Sequence, residues 1–474
     1  MSIYVEETLY LTVKELGDRL RTGAMSPVDL TKSYLERAQR LGPGWNAYAL
    51  LTPELALEQA RVAQQEIAAG HYRGPLHGIP YAAKDLLAVR GLPTTWGARP
   101  YATQQFDFDA TVVARLREAG AVLLGKAAMI ELAGGMGYRY ASASLTGAAK
   151  NPWNEGCWTC GSSSGSGAIV AGALAAFAIG TETWGSILCP SAFCGISGLR
   201  PTYGRVSRHG GMVLCSSLDK IGPMARSAED CGLVLGAIAG HDPKDASSLP
   251  REQAEFLFRA NAPMERKLRV GWIAEQMKDA QPGVIAAAEA ARKSLEAAGA
   301  KVTDAKLPEG PWEAAAGVIV AAEGASAFDD LIASGRCLEL TDPLGKIGGF
   351  VNQQMSSTDY LRAQRVRAVL QKKMAEMMRE YDVIAAASEN VTATKLGANL
   401  ETDIPSADPL GAIGNLCGLP AISVPCGFDG NGLPVGLQFL APPLGDHAVV
   451  AAAEFYQRHT DWQRKHPPAA GSAK

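Results

Sequence analysis

Residues 160–191 read CGSSSGSGAIVAGALAAFAIGTETWGSILCPS, and they give the strongest signal for both the architecture and the chemistry of the chain. Several hydroxyl groups and many small residues surround one short apolar segment that we expect to be helical. Glycine lets the main chain approach a ligand closely and adopt positive φ, so the flanking loops can present backbone N–H groups to a negative charge. The stretch indicates a functional centre, and three interpretations of it compete.

The first interpretation is a phosphate-binding loop, which would make the protein a nucleotide-binding module. Such loops follow G-x-x-x-x-G-K-[ST] or G-x-G-x-x-G, and neither pattern occurs here. Lys126 and Lys346 each follow a glycine, but neither is followed by Ser or Thr. The residues give this alternative little support.

The second interpretation is a nucleophile elbow, because residues 161–165 fit G-x-S-x-G with Ser163 as the nucleophile. An elbow needs a buried strand directly before the serine. Residues 151–160, NPWNEGCWTC, are rich in turn formers instead. This alternative is also weak.

The third interpretation is a Ser-Ser-Lys hydrolytic site. Ser162 and Ser186 flank the apolar segment, and Lys84 ends an apolar stretch that predicts a strand. A serine hydroxyl needs a base to become a good nucleophile, and a lysine serves as base only when its pKa falls from about 10.4. Burial at a strand end would do this. Taken alone, Lys84 is better explained as a surface lysine paired with Asp85.

Four segments resemble the amidase signature family, and the resemblance extends from about Leu11 to Thr460. They are GIPYAAKDLL (78–87), CGSSSGSGA (160–168), GTETWGSILCPSAFCGISGLRPTYGRVS (180–207) and GLPAISVPCGFDGNGLPVGLQFLAP (418–442). The resemblance implies a serine hydrolase that forms an acyl-enzyme without metal or cofactor.

The resemblance also assigns roles to individual residues. It implies Ser186 as the nucleophile, Ser162 as a bridging serine after a cis peptide, and Lys84 as the base. The oxyanion would be held by backbone N–H groups, which are those of Thr183, Trp184, Gly185 and Ser186.

Departures from the family pattern bear on the substrate. The family text T-D-T-G-G-S-I-R is TETWGSIL here, so Trp184 replaces a glycine in the oxyanion loop and Leu188 replaces an arginine. An apolar Leu188 cannot clamp a carboxylate. With Met136 and Tyr138 as further pocket residues, we predict a neutral, fairly hydrophobic amide, carbamate or ester substrate. A glutaminase subunit of a tRNA-dependent amidotransferase is the alternative, and Leu188 weighs against it.

Helical and strand patterns alternate along the chain, which predicts an α/β fold. With the resemblance, we expect a single α/β/α domain over residues 1–474, with a large, mixed, twisted sheet flanked by helices. Residues 70–240 would form the catalytic core, residues 241–267 a long connection, and residues 268–470 the remaining strands and covering helices.

Composition restricts the class of protein, its partners and its location. Hydrophobic residues make up 47%, charged residues 20%, and the net charge is −3, which argues against disorder and against a nucleic-acid partner. No secretory signal or membrane span is visible, so we expect a cytoplasmic enzyme with no membrane partner. The sequence leaves open whether the chain forms a homodimer. Nine scattered cysteines predict reduced thiols, and the C-x-x-C of Cys157 and Cys160 lacks the further ligands of a metal site.

Overall fold

The computed structural model describes residues 4–258, 267–403 and 408–468, and one large mixed sheet organises them. The strands of this part of the chain are β1 (Tyr48–Leu51), β2 (Pro80–Lys84), β3 (Val122–Ala127), β4 (Lys150–Asn151), β5 (Asn154–Trp158), β6 (Phe177–Glu182), β7 (Ser197–Arg200), β8 (Lys220–Ala225), β9 (Arg269–Trp272), β10 (Lys301–Asp304), β11 (Val383–Ala387), β12 (Ala421–Phe428) and β13 (Pro434–Leu440). All except β4 and β5, which pair with each other, belong to the 11-stranded sheet.

The strand order of the sheet is β1-β3-β2-β6-β8-β7-β12-β13-β11-β9-β10. Strand β2 is parallel to both of its neighbours, β3 and β6, and β9 is parallel to both β10 and β11. The pairs between β6 and β11 are antiparallel. The predicted mixed α/β sheet is therefore confirmed.

Helices flank the sheet along the whole described chain. They are α1 (Glu6–Leu9), α2 (Val13–Arg21), α3 (Pro27–Trp45), α4 (Pro53–Ala68), α5 (Thr111–Glu118), α6 (Ser164–Ala171), α7 (Leu188–Cys194), α8 (Ala228–Ile238), α9 (Arg251–Ala254), α10 (Pro282–Ala297), α11 (Trp312–Ala327), α12 (Asp329–Ala333), α13 (Pro343–Asn352), α14 (Ser357–Met377), α15 (Leu400–Asp403), α16 (Gly411–Leu416) and α17 (Asp446–Arg458). None of these described helices is long and apolar enough to cross a membrane.

Local sequence explains where several helices begin. The Ser26 side chain accepts a hydrogen bond from Asp29 N–H, and Pro27 occupies the first helical position of α3, where its missing N–H costs nothing. Thr12 and Glu15 form a reciprocal capping box at the start of α2. Both helices therefore begin at residues whose side chains satisfy free N–H groups of the first turn.

The glycine- and serine-rich centre contains a helix and a strand rather than one apolar helix. Helix α6 is buried all round and ends at Ala171, with Gly172 as its C-cap, after which Ala173 has a φ of 52°. The chain then enters β6, in the middle of the sheet. As a result, Ser162 precedes a buried helix and Ser186 follows a buried strand.

Two other segments differ from expectation. Residues 154–158, expected to form turns, form β5 in a small hairpin with β4. The long connection predicted over residues 241–267 contains turns and the short helix α9 in its described part, while residues 259–266 lie outside the described residues.

Close packing around α6 generates a testable prediction. A Cβ added to Gly165 would lie 2.3 Å from the Ala47 carbonyl oxygen and 2.5 Å from the Ala128 nitrogen. We expect Gly165→Ala to lower the free energy of unfolding by about 1–3 kcal/mol, because backbone atoms cannot move aside easily. Urea unfolding followed by circular dichroism measures the change.

Gly317 provides the matched control. It also lies within a helix, and a Cβ there would meet no atom within 4 Å. Gly317→Ala should leave stability unchanged or raise it by up to ~1 kcal/mol through helix propensity. Equal stabilities of the two variants would contradict the packing described for α6.

Candidate active site

Lys84 ends β2 inside the protein, where its side chain is fully buried. Its Nζ donates to Ser162 Oγ at 2.7 Å and to Thr181 Oγ1 at 2.9 Å. Burial lowers the pKa of Lys84 to about 7, against the opposing influence of the Asp219 and Glu182 carboxylates. A large fraction of this amine is therefore neutral near pH 7.

The neighbouring carboxylate does not neutralise Lys84. Asp85 pairs instead with Lys126, whose Nζ lies 2.9 Å from Asp85 Oδ1, and both side chains are buried. The alternative of a surface Lys84 paired with Asp85 is therefore wrong.

The two serine-bearing loops are in direct contact. The peptide bond between Gly161 and Ser162 is cis, as the resemblance implies, and the N–H of Ser163 donates to the carbonyl oxygen of Ser186 at 3.3 Å. The Ser163 hydroxyl donates to the Thr181 carbonyl at 3.2 Å and accepts from the Thr181 N–H at 3.3 Å. Because this hydroxyl is fully buried and bonded to backbone, the elbow alternative loses its nucleophile.

The loop before Ser186 presents free backbone donors. None of the N–H groups of residues 183–186 donates a hydrogen bond to another described residue. Gly185 has a φ of 80°, whereas Trp184 is absent from the described non-glycine residues with positive φ. Trp184 thus fits the loop without occupying the left-handed region, which resolves how a bulky residue replaces glycine there.

Glu182 fixes the other side of this loop. Its Oε2 accepts the N–H groups of Ile187 and Leu188 at 2.9 and 3.0 Å, and its Oε1 lies 2.7 Å from Arg200 Nη1. Burial alone would raise the pKa of Glu182, but Arg200, Lys220 and these hydrogen bonds outweigh it and lower the pKa to about 2. The carboxylate stays ionised and holds the residues that follow Ser186.

Thr183 is held in a similar way. Its hydroxyl donates to Asp219 Oδ1 at 2.5 Å, while Asp219 Oδ2 accepts the N–H groups of Leu214 and Cys215. Sequence reasoning missed the positioning role of Glu182 and Asp219. The acidic residue inside TETWGS was the available signal for Glu182, and nothing in the sequence pointed to Asp219.

A cavity of about 550 Å³ opens onto this loop. Ser186 lines it, whereas Lys84 and Ser162 are not among its lining residues and are buried. The apolar part of its wall contains Tyr138, Trp158, Trp184, Phe193, Leu214, Val320 and Leu400, and its carboxyl groups are those of Glu313, Glu389, Glu401 and Asp408. No lysine or arginine is among the described lining residues.

Two predicted pocket residues lie elsewhere. Leu188 begins α7 with its side chain in the hydrophobic core, only 1% exposed, and Met136 is buried against the glycines of α13. Neither lines the cavity, so these two pocket assignments are corrected, whereas Tyr138 does line it. None of the described lining residues is a cation that could bind a carboxylate. The prediction gave Leu188 as the reason, but Leu188 does not line the cavity.

Two cysteines of the cavity wall are joined by a disulfide. Cys160, directly before the cis peptide, is bonded to Cys189 in the first turn of α7, and the other seven cysteines are free thiols. The expectation of reduced thiols throughout is wrong at this pair. A 29-residue separation in sequence concealed it, since only the return of the chain through β6 brings the two sulfurs together.

No group of three or more metal-ligating side chains occurs within the described parts of the chain. A second cavity of about 480 Å³, lined by Glu66 and His77 among others, contains none of the three side chains of the Ser-Ser-Lys site.

Residues 29–450 match the protein family described as Amidase, and the chain belongs to that family. It is accordingly an amidase-type hydrolase of carbon–nitrogen bonds. The family assignment agrees with the resemblance carried by the sequence motifs.

Individual relatives extend this result. The A subunit of glutamyl-tRNA(Gln) amidotransferase from Acinetobacter baumannii (strain AYE) is 36% identical, over 96% of this chain and 97% of its own length. The native peptide amidase from Stenotrophomonas maltophilia is 30% identical, with a TM-score of 0.84 and 100% of both chains covered. A chain of the vestigial protein complex linked to an s-triazine catabolic enzyme is 29% identical, with a TM-score of 0.85 over 94% of this chain and 98% of that one.

The disulfide generates a testable prediction. Under denaturing, non-reducing conditions, a thiol titration should find the seven free thiols per chain, and nine after reduction. Replacing both Cys160 and Cys189 by alanine should lower the free energy of unfolding by about 2–4 kcal/mol, because the unfolded chain loses a cross-link.

Cys337→Ala is the matched control, since Cys337 is buried and free. We expect a smaller loss of stability and one thiol fewer in the titration. Nine reactive thiols before reduction would contradict the disulfide.

Proposed function

We propose that this protein hydrolyses amide bonds through an acyl-enzyme on Ser186, in substrates that are apolar or aromatic and carry no carboxylate. The same attack on a planar carbonyl extends to aryl carbamates and esters. The observation that carries the proposal is the 2.7 Å contact between the buried Lys84 amine and Ser162 Oγ, next to the loop that ends in Ser186.

The proposed proton path begins at Lys84. In its neutral form, Lys84 takes the proton of Ser162, and Ser162 takes the proton of Ser186 as Ser186 Oγ attacks the carbonyl carbon. The proton then returns through Ser162 to the leaving amine as the carbon–nitrogen bond breaks. A water molecule then attacks the acyl-enzyme carbonyl carbon and passes a proton along the same path. The ester bond to Ser186 breaks, and the acid is released.

The proposed oxyanion site consists of the N–H groups of Thr183, Trp184, Gly185 and Ser186. Their lack of other acceptors among the described residues supports this role. Glu182 and Asp219, which hold the two sides of the loop, would keep these donors in place before substrate arrives. Donors fixed in advance stabilise developing charge without reorganisation.

The cavity wall supports the substrate class. Rings such as Trp158, Trp184 and Phe193 provide apolar surface, and no described lining residue is cationic. A bound carboxylate would lose its hydration and meet four carboxyl groups instead of a partner, which is unfavourable.

A second candidate function is the glutaminase subunit of a tRNA-dependent amidotransferase. The names of the curated relatives favour it, because these relatives are A subunits of such an enzyme and align over 96% of this chain. In that case the chain would act with partner subunits. The absence of a described cation in the cavity weighs against free glutamine, whose α-carboxylate needs one.

The depressed pKa of Lys84 predicts a pH dependence. A lysine accepts a proton only when neutral, so kcat/KM for a neutral anilide should rise with pH and level off above an apparent pKa of about 7. Lys84→Ala should lower kcat/KM by about 10²–10⁴-fold with an unchanged circular dichroism spectrum. A pH-rate series on both proteins measures these effects.

Two control variants make this prediction sharper. The pKa of Asp408 is also raised to about 7 by burial, so Asp408→Asn should retain the acid limb if Lys84 is the base. Ser186→Ala should abolish labelling by a fluorophosphonate, whereas Ser163→Ala should retain it. Loss of the acid limb in Asp408→Asn, or labelling of Ser186→Ala, would contradict the assigned roles.

A substrate comparison separates the two candidate functions. The purified chain alone should hydrolyse acetanilide-type amides and aryl carbamates while leaving free glutamine unchanged, as measured by amine and ammonia release. Glutamine amidated at its α-carboxyl group is the control, since it removes only the negative charge. Ammonia release from free glutamine, strengthened by copurifying subunits, would favour the amidotransferase instead.

A further inference from the structure

The loops that carry Ser162 and Ser186 are attached to different parts of the protein. On one side, the Ser162 carbonyl accepts the Ile130 N–H at 3.2 Å. On the other side, Glu182 and Asp219 hold the loop around Ser186. These contacts fix each loop separately, so the distance between the two serines depends on other links.

Direct links between residues 160–163 and residues 183–189 are few. The Ser163 N–H donates to the Ser186 carbonyl at 3.3 Å, and this is the one hydrogen bond between the two described segments. The Ser163 hydroxyl is bonded to Thr181, which lies in β6 before the second loop begins. Hydrogen bonding therefore ties the two loops together only weakly.

The disulfide is the covalent link between the loops. Cys160 lies two residues before Ser162, and Cys189 lies three residues after Ser186. Cys160 also has a φ of 64°, a left-handed conformation that a non-glycine residue keeps only where the surrounding structure holds it. Breaking the sulfur–sulfur bond would free this residue to relax, and Ser162 would move with it.

Proton transfer between the two serines is sensitive to their separation. Lys84 contacts Ser162 directly, but the hydroxyls of Ser162 and Ser186 form no hydrogen bond with each other in the described structure. The proposed proton path therefore requires the two loops to bring these hydroxyls together when substrate binds. A misplacement of about 1 Å can lower a reaction rate by about 10²-fold.

The disulfide is within reach of small molecules. Cys160 and Cys189 both line the cavity onto which Ser186 opens, and each residue is 8% exposed. A thiolate that enters the cavity can attack one sulfur, and the second thiol of a dithiol then completes the reduction. The sulfur–sulfur bond takes up two electrons and two protons from the dithiol, which itself closes to a disulfide.

We propose that the Cys160–Cys189 disulfide is a positioning element for the reaction, because it holds the Ser162 and Ser186 loops at the distance that proton transfer requires. This inference rests on the proposed function. Reduction by a dithiol slows the attack of Ser186 on the substrate, and reoxidation restores it. The activity of the protein therefore depends on the redox state of the cavity wall.

Reduction of the wild-type protein under native conditions tests this role. Dithiothreitol should lower kcat for a neutral anilide by about tenfold or more and change KM by less than about threefold, because the serines separate while the cavity remains. Thiol titration of denatured samples, with seven thiols before and nine after, shows that the bond has been reduced. Circular dichroism shows that the protein stays folded, and oxidised glutathione should restore kcat once the dithiol is removed.

Two variants assign the effect to this bond. Cys160→Ala/Cys189→Ala should have the low kcat of the reduced wild-type protein and no further response to dithiothreitol. Cys157→Ala removes a buried free thiol from the same cluster of side chains, so it should keep the full response. If the double variant fails to fold, the reversible response of the wild-type protein still decides.

Hydrogen exchange followed by mass spectrometry gives a readout that needs no substrate. Peptides that cover residues 160–163 and 183–189 should exchange faster after reduction, whereas α3 should exchange as before. Faster exchange in α3 as well would indicate general destabilisation and would overturn the positioning role.

The combined outcomes separate the two proposals. If the oxidised protein hydrolyses anilides and reduction leaves kcat unchanged, the positioning role is overturned and the proposed function stands. If neither form hydrolyses an amide but reduction speeds exchange selectively in the two loops, the proposed function fails and the disulfide stands as the link that holds them.

Discussion

An amine cut off from water and bonded only to neutral oxygens is the constraint around which the site is arranged. Lys84 touches the Ser162 hydroxyl and the Thr181 side chain, and no carboxylate of the described residues lies within hydrogen-bonding distance. An ammonium ion in that place would be costly, so burial holds the pKa near neutrality. Asp85, the acid next to Lys84 in sequence, is paired with Lys126 instead.

A second buried ion pair, formed by Glu182 and Arg200, holds the loop around Ser186. Glu182 and Arg200 lie at 2.7 Å with both side chains fully buried, and the carboxylate also takes two backbone N–H groups. Breaking such a pair leaves an unpaired buried charge, which typically costs about 3–5 kcal/mol. Glu182 of β6 and Arg200 of β7 thus attach the loop around Ser186 to the sheet, in addition to the Thr183 hydroxyl, which is bonded to Asp219.

Much of the fold and the centre of the site could be predicted from the sequence. Helix caps such as Ser26 with Pro27 act through neighbouring residues, and the lysine and two serines lie in recognisable local motifs. The apolar run after Ser164 was expected to be one helix, and this was only partly right, because small residues fit a buried helix and a buried strand equally well. Its division at Ala173 depends on a single left-handed residue.

The remainder depends on contacts far apart in sequence. Leu188 looked like a pocket residue, but the direction of a side chain at the start of α7 is set by the sheet beneath it. The disulfide between Cys160 and Cys189 joins segments that only the completed fold brings together. No local pattern could have indicated it.

The residues in and around the cavity come from both halves of the chain. Lys84, Ser162 and Ser186 all come from the first half of the chain, whereas Val320, Glu389, Leu400 and Asp408 come from the second. The first half also supplies Tyr138, Trp158, Trp184 and Phe193 to the cavity wall, so the wall is shared between the two halves. Mutational libraries confined to the second half would therefore reshape only its share of the wall and leave Lys84, Ser162 and Ser186 unchanged.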